Sequence, residues 1–258
     1  MIFLQRRQVR LGNIQGLDPL APAQAMTMGP MPIPRCSFFK SDPRPENDFM
    51  GAEDEVITAD EALARLREGN RRFVKGIEDD EAVPDHLRRG ELVRGQQPFA
   101  IILGCSDSRV PAELVFDQGL GDLFVIRVAG NIVAPSQVGS VEFAAEKFST
   151  RLVVVLGHSQ CGAVLATLDE LQRETESRSP NLRSIVDRIR PSVEVLLEAG
   201  LRYDDGDTLL RMAIRANIRA SADHLRHGSQ IIEQLIQDER LVIVGAEYSL
   251  DSGVVEFL

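Results

Sequence analysis

Four short apolar runs constrain this chain more than any other feature. Phe99–Leu103, Leu123–Ile126, Leu152–Leu156 and Leu241–Val244 are each four or five residues long, rich in Ile and Val, and end near a glycine, an arginine or a polar cluster. Uninterrupted apolar runs of that length suit strands covered on both faces, the mark of a parallel sheet. Helical patterns separate them over 110–116, 138–148 and 163–173, with a long set between Leu182 and Ile236. Alternating strands and helices predict an α/β domain, a mostly parallel central sheet flanked by helices with right-handed crossovers. Gly253–Phe257, after Asp251-Ser252, reads as a last strand returning antiparallel. Thr58-Ala-Asp-Glu61 is a helix-start pattern, and Leu63, Leu66, Asn70 and Phe73 follow it at helical spacing.

Residues 1–54 differ. Seven of the 13 prolines fall between Pro19 and Pro45, too dense for continuous helix or an internal strand. The segment is expected to be a disordered tail, and 55–258 the folded domain. The 39 acidic and 29 basic residues give a net charge of −10, which argues against nucleic acid or anionic lipid as a partner. No run approaches the ~18 apolar residues of a membrane span, and Gln5-Arg6-Arg7 after Ile2-Phe3-Leu4 reverses the order of a secretory signal. A cytoplasmic protein is expected.

Ligands of open parallel sheets sit beyond the carboxyl ends of the strands. The first and third strands run straight into Gly104-Cys105-Ser-Asp107-Ser-Arg109 and Gly157-His158-Ser-Gln-Cys161-Gly162. Two thiols and an imidazole are donors zinc favours, and His158-x-x-Cys161 lets both side chains reach one ion from a tight turn. The plain alternative makes the cysteines small buried hydrophobes and His158 a core histidine. Another is a purely structural zinc with Asp107 as fourth ligand. Asp107 and Arg109, two apart, suit a carboxylate that accepts a proton and a guanidinium that orients it and keeps it ionised; an ordinary loop ion pair is the plainer reading.

Cys-Ser-Asp-Ser-Arg-Val (105–110), Phe-Val-Ile-Arg-Val-Ala-Gly-Asn (124–131) and Gly-His-Ser-Gln-Cys-Gly-Ala (157–163) resemble the β-class carbonic anhydrases, over about 57–258. The resemblance implies one Zn2+ per subunit held by Cys105, His158 and Cys161, with water or hydroxide in the fourth position and Asp107 and Arg109 as the catalytic dyad. It implies reversible hydration of carbon dioxide to bicarbonate and a proton. Gln96, Phe124, Ala129 and Gly162 are expected to line the substrate pocket, and the chain to form a homodimer or homotetramer with pockets at subunit boundaries. Two thiolates offset the charge of the ion, so hydration activity is expected to rise toward alkaline pH.

In one subgroup of the family the aspartate leaves its arginine and binds zinc, closing the site; here that is Asp107 leaving Arg109, and Gly104 resembles that subgroup. Its bicarbonate-inhibition site uses a Trp, an Arg and a Tyr. Arg127 and Tyr248 match, but Ile102 stands where the tryptophan would be, and the chain has no Trp. Related substrates such as carbon disulfide, and a non-catalytic zinc module, are the rival readings.

Overall fold

The computed structural model describes residues 56–76, 89–90, 92–173, 179–200 and 207–258. The expected tail, 1–54, lies outside the described residues.

The predicted helix start is a full capping box. Thr58 Oγ1 accepts from Glu61 N–H while the Glu61 carboxylate accepts from Thr58 N–H, opening α1 (Ala59–Lys75). Gly76, at φ 62°, closes it in the left-handed conformation. The strands are β1 (Ala100–Gly104), β2 (Leu123–Arg127), β3 (Leu152–His158), β4 (Val242–Tyr248) and β5 (Val255–Phe257). They form one sheet in the order β2-β1-β3-β4-β5, parallel except for β5, which runs antiparallel to β4.

Every residue of β1 and β3 is buried, because both faces of the sheet are covered. Side chains alternate between the faces. Ile102, Val154 and Leu156 pack with Ala62 and Leu66 of α1 and with Val115 of α2 (Ala112–Val115). Ile101, Leu103, Val153 and Val155 pack on the other side against α3 (Pro135–Lys147), α4 (Gly162–Arg173), α5 (Pro180–Glu198), α6 (Asp207–His227) and α7 (Gln230–Gln237). α6 lies close to the sheet: a Cβ on Gly157 would meet Ile218 Cδ1 at 2.5 Å.

Three elements differ from expectation. The helix expected over 110–116 covers only Ala112–Val115, since Pro111 has an extended backbone. β3 continues through Gly157 to His158, which places the imidazole on the strand itself. β4 runs past Gly245 to Tyr248, paired with β3 on one side and β5 on the other. In that second ladder Glu247 faces Glu256, two like charges that would repel. Arg215 of α6 bridges them, with Nε 2.6 Å from Glu247 and a second ion pair to Glu256.

Asn70 sits on the apolar face of α1 for a reason its spacing does not reveal. Its Nδ2 donates to Val115 O (3.0 Å) and Gly253 O (2.9 Å), and its Oδ1 accepts from Val255 N–H (2.9 Å). It therefore ties α1 to α2 and to the last strand. Asn70→Leu leaves three backbone groups unpaired, two of them buried, and is expected to lower unfolding free energy by about 3 kcal/mol in denaturant titration. Activity per folded molecule should be unchanged.

Candidate metal centre

β1 ends at Gly104, opposite Leu156 of β3, and β3 extends two residues further. Cys105 follows β1 directly, His158 closes β3, and Cys161 is the residue before α4. The strand ends therefore deliver the three side chains to one place. Their ligand atoms all lie within 4.8 Å of one another, and all three residues are buried.

His158 Nδ1 donates to Ser159 O (2.9 Å), which leaves the lone pair on Nε2. That Nε2 is buried and has no hydrogen-bond partner among the described residues. Ser159 is itself fixed to the sheet, its N–H donating to Tyr248 O and its Oγ accepting from Leu250 N–H, both at 2.9 Å. The imidazole is thus held in one tautomer and one orientation.

The sulfurs are electrostatically coupled. A hydrogen bond from Cys161 draws the Cys105 thiol down to about 4 against its burial, helped by the N–H of Gly130 (3.3 Å from Sγ). The neighbouring Cys105 sulfur and burial push Cys161 up. The pair gives one proton easily and holds the second until a cation compensates the added charge. A buried idle imidazole lone pair beside two such sulfurs fits zinc.

Asp107 and Arg109 form a two-pronged pair. Arg109 Nε donates to Oδ1 (2.9 Å) and Nη2 to Oδ2 (2.8 Å), and Arg109 N–H also donates to Oδ1 (3.0 Å). Arg109 therefore holds the Asp107 carboxyl well below the usual carboxylate range. Oδ2 lies 3.9 Å from His158 Nε2, so the pair stands at the edge of the metal site. Arg127 braces the loop from β2, with Nε to Cys105 O (3.1 Å) and Nη2 to Asp107 O (2.6 Å).

Of the four residues expected in the substrate pocket, two adjoin the ligands. Ala129 precedes Gly130, the donor to Cys105, and Gly162 follows Cys161 and opens α4. Phe124 pairs with Ile101, three residues before the strand ends, or about 10 Å by strand rise. Its ring clusters with Phe143 and Phe148, at 6.2 and 6.0 Å between centroids. Gln96 is exposed and lines a surface groove with Leu92, Val93, Leu120 and Gly121. Sequence reasoning missed Gly130 and Ser159 as supports of the site. Gly130 lies inside the 124–131 motif, which was the available signal; Ser159 had none beyond its place between two ligands.

The family model described as carbonic anhydrase matches residues 100–255. A carbonic anhydrase of Mycolicibacterium smegmatis is 40% identical over 198 residues, spanning 76% of this chain and 91% of that protein. Carbonic anhydrase 2 of Mycobacterium tuberculosis is 40% identical over 193 residues, 74% of this chain and 89% of the relative. Among solved structures, the β-carbonic anhydrase CcaA superposes with a TM-score of 0.61 at 26% identity, over 76% of this chain and 87% of its own. No helix among the described residues is long and apolar enough to cross a membrane.

Proposed function

The chain belongs to the β-carbonic anhydrase family, and from that premise we propose that it hydrates carbon dioxide reversibly to bicarbonate and a proton, with one zinc ion per subunit held by Cys105, His158 and Cys161. The observation that carries this reading is the His158 imidazole, whose Nε2 is buried, directed by the Nδ1 bond to Ser159, and within 4.8 Å of two cysteine sulfurs. Cys105, His158 and Cys161 would hold zinc there, which when bound would lower the pKa of a water and so supply hydroxide near neutral pH.

The chain's own residues do the rest. Asp107, ionised and gripped by Arg109, accepts a hydrogen bond from the attacking water and orients its oxygen. So acid a carboxyl keeps no proton, and the proton released passes on to solvent buffer. Arg127 keeps the Asp107 backbone in place while this happens. Carbon dioxide is uncharged and needs an apolar wall, for which Ala129 and Gly162 lie beside the ligands; the reading extends this pocket to Gln96 and Phe124 at a boundary between subunits. β2 is an edge strand, and Phe143 beside its aromatic cluster is 53% exposed, which supports assembly into a homodimer or homotetramer. The two metal-site thiols are free and must stay reduced to bind zinc, which supports a cytoplasmic setting.

A second reading is favoured by the 3.9 Å between Asp107 Oδ2 and His158 Nε2. Asp107 released from Arg109 is close enough to take the fourth zinc position and close the site as conditions change. Water-proton relaxation by the cobalt-substituted protein tests it: closing removes the exchangeable water over a defined pH range, and an exchangeable water at every pH contradicts it. The substrate is tested by comparing carbon dioxide with carbon disulfide turnover. The proposal expects zinc-dependent turnover of carbon dioxide, and turnover of carbon disulfide alone would overturn it.

A further inference from the structure

A line of hydrogen bonds leads from the metal centre into α6. Gly130 lies in the one-turn 3-10 segment Ala129–Asn131 after β2. Its N–H donates to Cys105 Sγ (3.3 Å), and its carbonyl accepts from Asn217 Nδ2 (2.8 Å), 87 residues away in sequence. Gly130 has φ 71° and ψ 20°, in the left-handed region, and a Cβ there would lie 2.8 Å from Ile189 Cδ1 and 3.1 Å from Ala163 Cβ. Only glycine fits, and glycine has the greatest backbone freedom of any residue. The direction of its N–H is therefore set by whatever grips the adjoining peptides.

Asn217 is placed to be that grip. It is buried on the face of α6 that carries Ala213, Ile214 and Ile218. Ile218 fills the space over Gly157 and Gly245, where a Cβ would meet it at 2.5 and 2.8 Å. This seats the helix against the two strands that end in His158 and Tyr248, which fixes the backbone of Asn217 beside Gly130. The amide is only half satisfied: Asn217 Oδ1 and the buried Nδ2 of Asn131 have no partner among the described residues. A leucine would fill the same space with no polar group to desolvate, so packing alone does not account for the residue.

We infer that Asn217 is a positioning residue of the metal centre, holding the Gly130 turn so that its N–H rests on the Cys105 sulfur and limits how strongly that thiolate donates to the metal. The inference rests on the zinc-site reading above. Groups that hydrogen-bond a ligand from outside the coordination sphere fix its orientation and tune its donor strength. An N–H on a thiolate lowers the energy of the sulfur lone pair; releasing it makes the sulfur easier to oxidise toward the metal.

The test is the near-ultraviolet thiolate-to-metal charge-transfer band of the cobalt-substituted full chain. Asn217→Leu removes the donor at nearly constant volume and is expected to move the band to longer wavelength. Leu225→Ala, at a buried position about two turns further along α6, disturbs packing without touching Gly130 and is expected to leave it in place. Should the leucine variant fail to fold, Asn217→Ala, which adds no branch, is expected to give the same shift. A band in the Asn217 variant coincident with that of the unchanged protein overturns the inference, as does an equal shift in Leu225→Ala. Absence of any such band in the unchanged protein refutes the zinc-site reading itself, a failure distinguishable from the first.

Discussion

Cys105→Ala is expected to abolish stoichiometric zinc binding and to lower carbon dioxide hydration by more than two orders of magnitude. Removing a group outside the coordination sphere already costs roughly 10–100-fold in affinity or activity, and Cys105 is a proposed ligand. Three features of the site converge on its sulfur. It stands within 4.8 Å of the ligand atoms of His158 and Cys161, its thiol is drawn down to about 4, and Gly130 donates its N–H to it. With alanine, Cys161 loses the neighbour that pushes its thiol up, and one sulfur and one imidazole remain. Two donors do not complete a catalytic zinc site, which uses three protein ligands. Zinc per chain, measured by elemental analysis after dialysis, should fall from one to well below it. Retention of one zinc with unchanged turnover would remove Cys105 from the site.

Asp107→Asn is expected to leave zinc at one per chain while lowering the turnover number by about 10²-fold, the cost of misplacing a reacting group by about 1 Å. Asparagine keeps the volume but brings an NH2 where Asp107 presents a second carboxylate oxygen to Arg109. It also removes the negative charge that attracts the hydrogen of the attacking water. Zinc content and turnover therefore respond differently to the two substitutions, which separates holding the metal from orienting the substrate.

The pH dependence follows from the direction of the Asp107 shift. A depressed carboxyl stabilises the fold above its unfolded pKa, and that contribution is lost as pH falls through the still lower folded value. Asp107 is therefore ionised throughout the neutral and mildly acid range. The contribution is small because Arg109 is half exposed. The hydration rate of the unchanged protein should show no limb with an ordinary carboxylate midpoint near 4 arising from Asp107, and a clear one would contradict the pairing with Arg109.

What was legible in the sequence had its cause within a few residues. The buried strands read as apolar runs because both faces are covered. The ligands read as motifs because each follows or ends a strand directly. Other features depended on residues far along the chain. β4 continues through Glu247 because Arg215, 32 residues earlier, neutralises it; the apolar pattern stops at Gly245 and carries no sign of this. Asn70 and Asn217 sit on apolar helical faces, and the groups they serve lie 45 to 185 residues away. Gln96 and Phe124 entered through resemblance, and within one chain they stand on an exposed groove and an aromatic cluster at the sheet edge.

The central claim is that this site hydrates carbon dioxide, and stopped-flow initial rates at alkaline pH test it most directly. The zinc-loaded chain is expected to hydrate carbon dioxide far faster than the zinc-free control, with the rate restored when zinc is returned to stripped protein. A rate no higher than that control, with zinc confirmed bound, would contradict the claim.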